Sequence, residues 1–509
     1  FGHWVHEPFT GGPTTRVPEQ IYEGYPAGLA LGRKHFALGT STDDGTTIWV
    51  TQEGDTGMLY ANSADASVAA LSEDEQLLSI EHSEHGDSRH PALRVLRVRD
   101  GSTVAEKFDG PGKGLQAIEF APVAGDERLL VSHERNGREE LLVWDVTTDT
   151  ETLIELDLPG ELSAGFYPDG AALLVVHTHS ARDTLHRYDL ATGELSTVHT
   201  ATGSIAAAGA RQDGSIEYSW SNAATPSLIR SLALDGADTV LLTPPGERAP
   251  GSAPLRDARI PGTGGEIHAL YVRPEIAPDA PLPTVFAIHG GPQAADEDRF
   301  SAYRAVWLDA GFAVVHVNYR GSSGYGSAWR DAIEGRPGLT ELEDVACVCD
   351  WAISSGLSTA DQCVIDGASW GGYLTLLALG VQPQRWAAGI GVVPVADYLA
   401  AYADEMEPLR AFDRALFGGS PEQLPELYAR CSPHSYVESV RAPLLVVAGE
   451  NDPRCPIRQI ENYLDALAKT PTHYEVYRYD AGHGSLVVAE TVKQAAIEVD
   501  FARRMLGLH

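Results

Sequence analysis

Residues 363–372 have the sequence CVIDGASWGG, and this stretch decides how the second half of the chain is interpreted. An apolar run of strand length, residues 363–366, is followed by a G-x-S-x-G pattern and then by a helical pattern, which is the context of a sharp strand-to-helix turn. The glycines leave room for the backbone at such a turn. The pattern predicts that Ser369 is a nucleophile at the N-terminus of a helix, where amide groups and the helix dipole favour negative charge.

Around this turn, apolar segments of strand length alternate with segments of helical spacing. Near-continuous Val, Ile and Leu content is typical of parallel strands that are buried on both faces. We therefore expect residues 248–509 to form an α/β-hydrolase domain with a largely parallel sheet. The predicted strands are 284–289, 312–317, 363–366, 389–393, 443–448 and 474–479, and the predicted helices are 342–354, 372–379, 457–468 and 492–505.

The preceding part of the chain, residues 28–247, has a different period. Short alternating strands are separated by turns rich in Gly, Asp and Asn, and similar turn motifs begin near residues 70, 121, 166 and 211. A repeat of about 45 residues with four strands per unit is typical of β-propeller blades. Counting another unit at residues 29–62 predicts five blades, or six if the ends contribute strands; a β-sandwich is the alternative.

The first 27 residues fit neither pattern. They contain Trp4, Phe9, Tyr22 and Tyr25, and we expect this N-terminal arm to pack on the hydrolase domain.

Charge and cysteine content limit the possible partners. The formal net charge is −34, spread along the chain, which disfavours nucleic acid and anionic membranes as partners and leaves a positively charged substrate as an alternative to a merely solubilising surface. No uninterrupted apolar run approaches the length of a spanning helix. The five cysteines lack CxxC spacing, so we expect free thiols in the cytoplasm, with no metal and no cofactor. The chain begins at Phe1 rather than Met, so a removed leader stays an alternative.

A serine nucleophile needs a histidine to accept its proton and a carboxylate to orient that histidine. In this fold the chain order is serine, then acid, then histidine. Asp452 follows the strand 443–448, and His483 follows the last predicted strand between two glycines. We therefore predict that Asp452 and His483 complete the triad, with Glu450 and Asp480 as rivals for the acid.

The oxyanion of a tetrahedral intermediate needs two donors that are already in position. One is expected to be the backbone N–H of Trp370, which follows the nucleophile. The other is expected from the glycine-rich segment 289–292, with Gly291 favoured over Gly290. The imidazole of His289 is expected to be structural, because this motif acts through its backbone.

Together these motifs resemble the prolyl oligopeptidase family of serine peptidases, particularly its acylaminoacyl-peptidase-like branch. The matching segments are 289–292, 318–326, 367–373, 451–454 and 481–484. The resemblance implies a propeller that caps the hydrolase domain and restricts entry to small substrates. It also implies that Arg454, two residues past the acid, binds a substrate carbonyl oxygen; pairing with a local carboxylate is the alternative. Family members commonly have seven blades, whereas this sequence has room for five or six.

The predicted function is therefore a serine peptidase that hydrolyses short or N-blocked peptides through an acyl-enzyme. A hydrolase of a non-peptide amide or ester metabolite, using the same chemistry, is the first alternative. A propeller-based binding protein with an inactive hydrolase domain is the second. No paired-glutamate motif for holding a free amino terminus is visible, and a homo-oligomer is possible.

Overall fold

The computed structural model describes residues 2–16, 21, 23–52, 55–246, 249, 252–275 and 280–508. An exposed two-stranded hairpin, β1 (Val5–His6) and β2 (Thr15–Arg16), comes first. Within the described residues, five four-stranded antiparallel sheets follow, the number favoured from the sequence. Their strands are β3 (Tyr25–Leu31), β4 (His35–Thr42), β5 (Gly45–Gln52), β6 (Asp55–Asn62); β7 (Ala66–Leu71), β8 (Leu77–Asp87), β9 (His90–Arg97), β10 (Thr103–Lys107); β11 (Leu115–Phe120), β12 (Arg128–His133), β13 (Glu140–Asp145), β14 (Thr150–Ile154); β15 (Glu161–Phe166), β16 (Ala172–His179), β17 (Arg182–Asp189), β18 (Leu195–Val198); and β19 (Ser204–Ala210), β20 (Ile216–Asn222), β21 (Thr225–Leu232), β22 (Asp238–Leu242).

The repeated turn motifs occupy equivalent places in these sheets. Those beginning near residues 70, 121, 166 and 211 connect the first strand of a sheet to its second. Four apolar clusters each join consecutive sheets, and the third sheet, for example, packs Leu142 and Trp144 against the second. This stacking of units through their apolar faces is the propeller architecture that the period predicts.

The C-terminal domain is built on an eight-stranded sheet in the order β23-β24-β26-β25-β27-β28-β29-β30. β23 and β24 pair in antiparallel fashion at one edge, and the strands from β26 onward are parallel. The strands are β23 (Arg256–Gly262), β24 (Gly265–Val272), β25 (Thr284–Ile288), β26 (Ala313–Asn318), β27 (Cys363–Ala368), β28 (Ala388–Val392), β29 (Leu444–Gly449) and β30 (Tyr474–Tyr479). The predicted strands are thus confirmed to within about two residues at either end.

Nine α-helices of the described residues surround this sheet. They are α1 (Ala302–Asp309), α2 (Ser327–Arg330), α3 (Leu339–Ser354), α4 (Trp370–Val381), α5 (Tyr398–Asp404), α6 (Glu407–Phe417), α7 (Pro425–Cys431), α8 (Ile457–Leu467) and α9 (Val488–Met505). One apolar core contains Leu342 of α3 and Leu374 of α4, and a second contains Trp307 of α1 and Phe501 of α9. Helices therefore cover both faces of the sheet, as parallel strands require.

Ion pairs and polar contacts join the two domains. Arg182 of β17 contacts Asp257 at 2.9 Å and Asp298 at 3.0 Å, both in the hydrolase domain. Glu161 of β15 accepts hydrogen bonds from the backbone N–H groups of Gly324, at 2.7 Å, and Gly326, at 3.2 Å. Further contacts join Arg89 to Asp331 and Glu334, Glu134 to Arg330, and Asp43 to Arg410.

The predicted boundary between residues 247 and 248 lies outside the described residues. The same holds for Tyr22 of the N-terminal arm. Within the described part of the arm, the indole N–H of Trp4 donates to the backbone carbonyl of Gly39 in the first propeller sheet, at 3.2 Å. Packing of the arm on the hydrolase domain stays a prediction. No helix among the described residues is both long and apolar enough to cross a lipid bilayer.

Candidate active site

Ser369 lies in the sharp turn between β27 and α4. Its backbone angles are φ +57° and ψ −118°, a region that non-glycine residues adopt only when the surrounding structure holds them there. The neighbouring glycines explain how the chain tolerates this turn: a Cβ on Gly371 would lie 2.0 Å from the carbonyl oxygen of Ile288. The strand-turn-helix context predicted from the sequence is therefore present, and Ser369 is half-buried at its tip.

The structure brings the predicted acid and base together. Nδ1 of His483 lies 2.7 Å from Oδ2 of Asp452. The other carboxylate oxygen of Asp452 accepts from the backbone N–H groups of Arg454, at 2.8 Å, and Cys455, at 3.1 Å. The Asp452 side chain is 1% exposed and that of His483 is 19% exposed, so the acid is fixed while the imidazole keeps access to solvent.

The rival acids occupy other places. Asp480 accepts a hydrogen bond from the side-chain amide of Asn451 at 2.8 Å, and Glu450 is exposed at the end of β29. Among the contacts of the described residues, the carboxylate on the His483 ring is that of Asp452.

The glycine-rich segment after β25 lies over the serine turn. A Cβ built on Gly290 would be 3.5 Å from Cβ of Ser369 and 3.8 Å from the backbone nitrogen of Trp370. Gly291 lines the same cavity as Ser369 and Trp370. The two segments expected to supply oxyanion donors are therefore adjacent, with Gly290 next to the turn and Gly291 at the cavity that Ser369 lines.

The His289 ring packs against the segment that follows β26. It stacks on Tyr319 with ring centroids 4.2 Å apart, and its Nε2 lies 2.8 Å from Oγ of Ser322. The hydroxyl of Tyr319 donates to the backbone carbonyl of His289 at 2.8 Å. Segment 318–326, which follows β26, thus holds the glycine-rich segment in place, and burial lowers the pKa of His289, which keeps its imidazole neutral.

A cavity of about 330 Å³ opens at Ser369, and we call it the serine cavity. Arg454 and Cys455 line it on one side, and Arg454 is exposed. In the part of the chain that the structure describes, the guanidinium of Arg454 has no ion-pair partner, so it is available to a ligand. The remaining wall is largely apolar and comprises Val395, Tyr398, Met406, Leu409 and Phe412.

Residues that the sequence analysis did not select also line the serine cavity. Glu405 precedes α6 and Asp413 lies within it; both are buried at the cavity wall. Cys455 is a third, and its thiol lies within 4.8 Å of ligand atoms of Asp452 and His483. Of these residues, only Cys455 had a signal in the sequence, namely that it lies close to Asp452. Glu405 and Asp413 had none, because α5 and α6 interrupt the alternation of strands and helices by which the other site residues were selected.

A buried acidic cluster lies beneath the serine turn. The hydroxyl of Tyr303 contacts both Asp366 of β27 and Glu498 of α9, at 2.5 Å from the Glu498 carboxylate. Burial raises the pKa of Asp366 to about 7 and that of Glu498 to about 8. Burial also raises the pKa of Glu341, which accepts from the Trp370 indole at 3.2 Å, to about 8. Burial thus favours the protonated form of the carboxyls that lie beneath the turn.

A propeller joined to an α/β-hydrolase domain with a strained serine turn defines a recognisable class of two-domain hydrolase fold. Residues 298–509 match the model of the prolyl oligopeptidase family. Two sequence relatives are dipeptidyl aminopeptidase BIII from Pseudoxanthomonas mexicana, 31% identical over 45% of this chain and 34% of that enzyme, and the Homo sapiens acylamino-acid-releasing enzyme, 28% identical over 42% and 30%. The resemblance to the prolyl oligopeptidase family seen in the sequence is thus confirmed, over residues 298–509 for the family model.

Solved structures agree on the fold over nearly the whole chain. A puromycin hydrolase structure superposes with a TM-score of 0.85 at 23% identity, covering 98% of this chain and 82% of that one. The acylaminoacyl peptidase of Pyrococcus horikoshii has a TM-score of 0.71 at 18% identity, covering 97% and 82%. In contrast, the matched segment spans only about a third of the length of the first curated relatives, 34% and 33%.

Proposed function

We propose that the protein is a serine peptidase that hydrolyses short or N-blocked peptides through an acyl-enzyme. The observation that carries this proposal is the 2.7 Å contact between His483 and Asp452 beside the cavity that holds Ser369. A carboxylate on Nδ1 keeps the proton on that nitrogen, so that Nε2 is free to act as a base.

In this mechanism the hydroxyl oxygen of Ser369 attacks the substrate carbonyl carbon while His483 takes the hydroxyl proton. The negative charge that develops on the carbonyl oxygen is stabilised by the backbone N–H groups of Trp370 and Gly291. His483 then gives its proton to the leaving amine, and the amide bond breaks to leave an ester on Ser369. Water, deprotonated by His483, hydrolyses that ester. Arg454 donates to a second carbonyl oxygen of the substrate and fixes its register.

The propeller limits the size of the substrate by covering the hydrolase domain. Arg89 and Arg182 of the propeller pair with hydrolase-domain acids, and Arg410 of the hydrolase domain pairs with Asp43 of the propeller; these contacts support the closed arrangement. We further propose a cytoplasmic location, which the five free cysteines support because a reducing compartment keeps thiols unpaired.

A fluorophosphonate probe tests the nucleophile. The wild-type protein should be labelled, and Ser369→Ala should not be, whereas Ser354→Ala, an exposed serine at the end of α3, should label like wild type. Absence of labelling in folded wild-type protein would favour a binding protein with an inactive hydrolase domain.

The alternative substrate class is a non-peptide amide or ester, and the puromycin hydrolase neighbour makes it worth a direct comparison. N-acetylated dipeptide arylamides, puromycin and p-nitrophenyl esters should be assayed in parallel. The peptidase proposal expects turnover of the blocked peptides; turnover of esters or puromycin alone, with every peptide inert, would replace it with the alternative.

A further inference from the structure

The wall of the serine cavity carries two acids that none of the steps above uses. Glu405 is 6% exposed and Asp413 is 5% exposed, and both line the cavity together with Ser369. The two carboxyls share a hydrogen bond with each other, and no other group among the described residues donates to Oε1 of Glu405 or Oδ2 of Asp413. Two carboxyls placed in an otherwise apolar wall are costly to bury, and this cost is offset when a positively charged ligand binds them.

The cations nearest to this pair are occupied elsewhere. Arg410 contacts Glu407 at 2.8 Å and also Asp43 of the propeller, and Arg414 contacts Glu407 at 2.6 Å and the Tyr402 hydroxyl at 3.1 Å. Glu407 does not line the cavity, whereas Glu405 and Asp413 do. Arg454 also lines the cavity but forms no ion pair with either acid, so within the part of the chain that the structure describes the pair lacks a cationic partner.

The pKa values of the two acids agree with this arrangement. Burial and the repulsion between the two carboxyls raise the pKa of Glu405 well above its ordinary range, and burial raises that of Asp413 to about 7. The pair thus favours a shared proton where no counter-ion is at hand. A bound cation would let that proton leave and would make a charge-assisted hydrogen bond in a site shielded from water.

We propose that Glu405 and Asp413 bind the positively charged side chain of the substrate residue whose carbonyl carbon Ser369 attacks, so that the enzyme cleaves after lysine or arginine. The inference rests on the proposed function. The apolar residues Leu409 and Phe412 would cover the methylene stem of such a side chain, while the carboxyls hold its charged end. The net charge of −34 would draw cationic peptides toward the protein.

Blocked arylamides of the form acetyl-X-aminomethylcoumarin test this, because the leaving group is constant and only the acyl residue X varies. X should be lysine, arginine, leucine or norleucine, the last being an uncharged analogue of the lysine stem. For the wild type, kcat/KM for lysine is expected to exceed that for norleucine by about 10- to 100-fold, as charge-assisted contacts imply. Equal or better turnover of norleucine would overturn the inference.

Substitution then assigns the selectivity to the pair. Glu405→Gln and the double variant Glu405→Gln/Asp413→Asn should lose most of the lysine-to-norleucine ratio while still turning over norleucine. Glu426→Gln is the matched control, since this exposed carboxylate lies outside the cavity, and it should keep the wild-type ratio. An unchanged ratio in the folded single and double variants would overturn the inference.

Fluorophosphonate labelling separates this inference from the proposed function. Labelled protein that prefers neutral residues contradicts only the role of the acid pair. Wild-type protein that is neither labelled nor active on any substrate contradicts the proposed function. If the double variant does not fold, the lysine-to-norleucine ratio of Glu405→Gln, compared with that of the wild type, decides whether the acid pair sets the selectivity.

Discussion

Nδ1 of His483 lies 2.7 Å from Oδ2 of Asp452, and the same carboxylate is held by two backbone N–H groups. Asp452→Asn would keep the shape of this contact but would place an amide where the imidazole N–H needs an acceptor. The proton of His483 would then shift to the other nitrogen. We expect kcat on a cleavable substrate to fall by about 10³- to 10⁴-fold with little change in KM.

Steady-state kinetics would measure this effect, and Asp480→Asn is the matched control. Asp480 is a neighbouring acid that contacts Asn451 rather than His483, so its variant should keep near-normal turnover. If Asp480→Asn lost activity while Asp452→Asn kept normal turnover, Asp480 rather than Asp452 would be the acid of the triad.

The cluster beneath the serine turn predicts how stability depends on pH. The pKa of Glu498 is raised from 4.5 to about 8, so the folded chain keeps a proton that the unfolded chain releases above pH 4.5. The free energy of unfolding should therefore fall as pH rises from 4.5 toward 8. Glu498→Gln should reduce this decline, whereas Glu426→Gln, at an exposed position, should not. Urea denaturation at half-unit pH intervals would show this; identical slopes in all three proteins would contradict it.

We predict that Zn²⁺ inhibits hydrolysis by binding to Asp452, Cys455 and His483. Their ligand atoms lie within 4.8 Å of one another, and carboxylate, cysteine sulfur and imidazole are groups that Zn²⁺ prefers. Burial raises the pKa of the Cys455 thiol, so the metal must displace its proton on binding. Added Zn²⁺ should inhibit hydrolysis reversibly, with EDTA restoring activity. Cys455→Ser should weaken the inhibition by about 10-fold while retaining activity. Equal inhibition of wild type and variant would place the inhibitory ion elsewhere.

We predict that Arg182 couples the stability of the two domains. It pairs with Asp257 and Asp298 across the interface, and its side chain is largely buried there. Arg182→Ala should cost about 1–3 kcal/mol, because two carboxylates lose a shared partner, and should separate the thermal unfolding of the domains. Arg211→Ala is the control: its exposed pair with Glu217 lies within the propeller, so calorimetry should show almost no change. A single unshifted transition in Arg182→Ala would contradict the prediction.

Much of the fold could be predicted because its elements repeat a simple period. The turn motifs predicted the propeller repeat, and the apolar segments predicted the strands of the hydrolase sheet. Both could be recognised because each pattern depends only on residues close together in the sequence. The serine turn, Asp452 and His483 could be selected in the same way, because the order and the strand ends determine where such residues meet.

The wall of the serine cavity could not be predicted by these means. α5 and α6 lie between β28 and β29, where the sequence offers no regular alternation. Glu405 and Asp413 are two of 71 acidic residues, and they differ from the others by their burial in the wall of the serine cavity, which depends on how the segment around α6 packs against the rest of the domain. The start of α9 at Val488, four residues before the predicted start, is likewise set by tertiary contacts.

The apolar clusters of the propeller each join sheets that follow one another along the chain. Such a domain can assemble by accretion during synthesis, because each completed sheet offers the surface on which the next one condenses. The hydrolase domain differs: Phe501, near its end, packs in one core with Trp307 and with Val285 of β25. That core closes only after α9 has emerged, so the hydrolase domain should mature after the propeller.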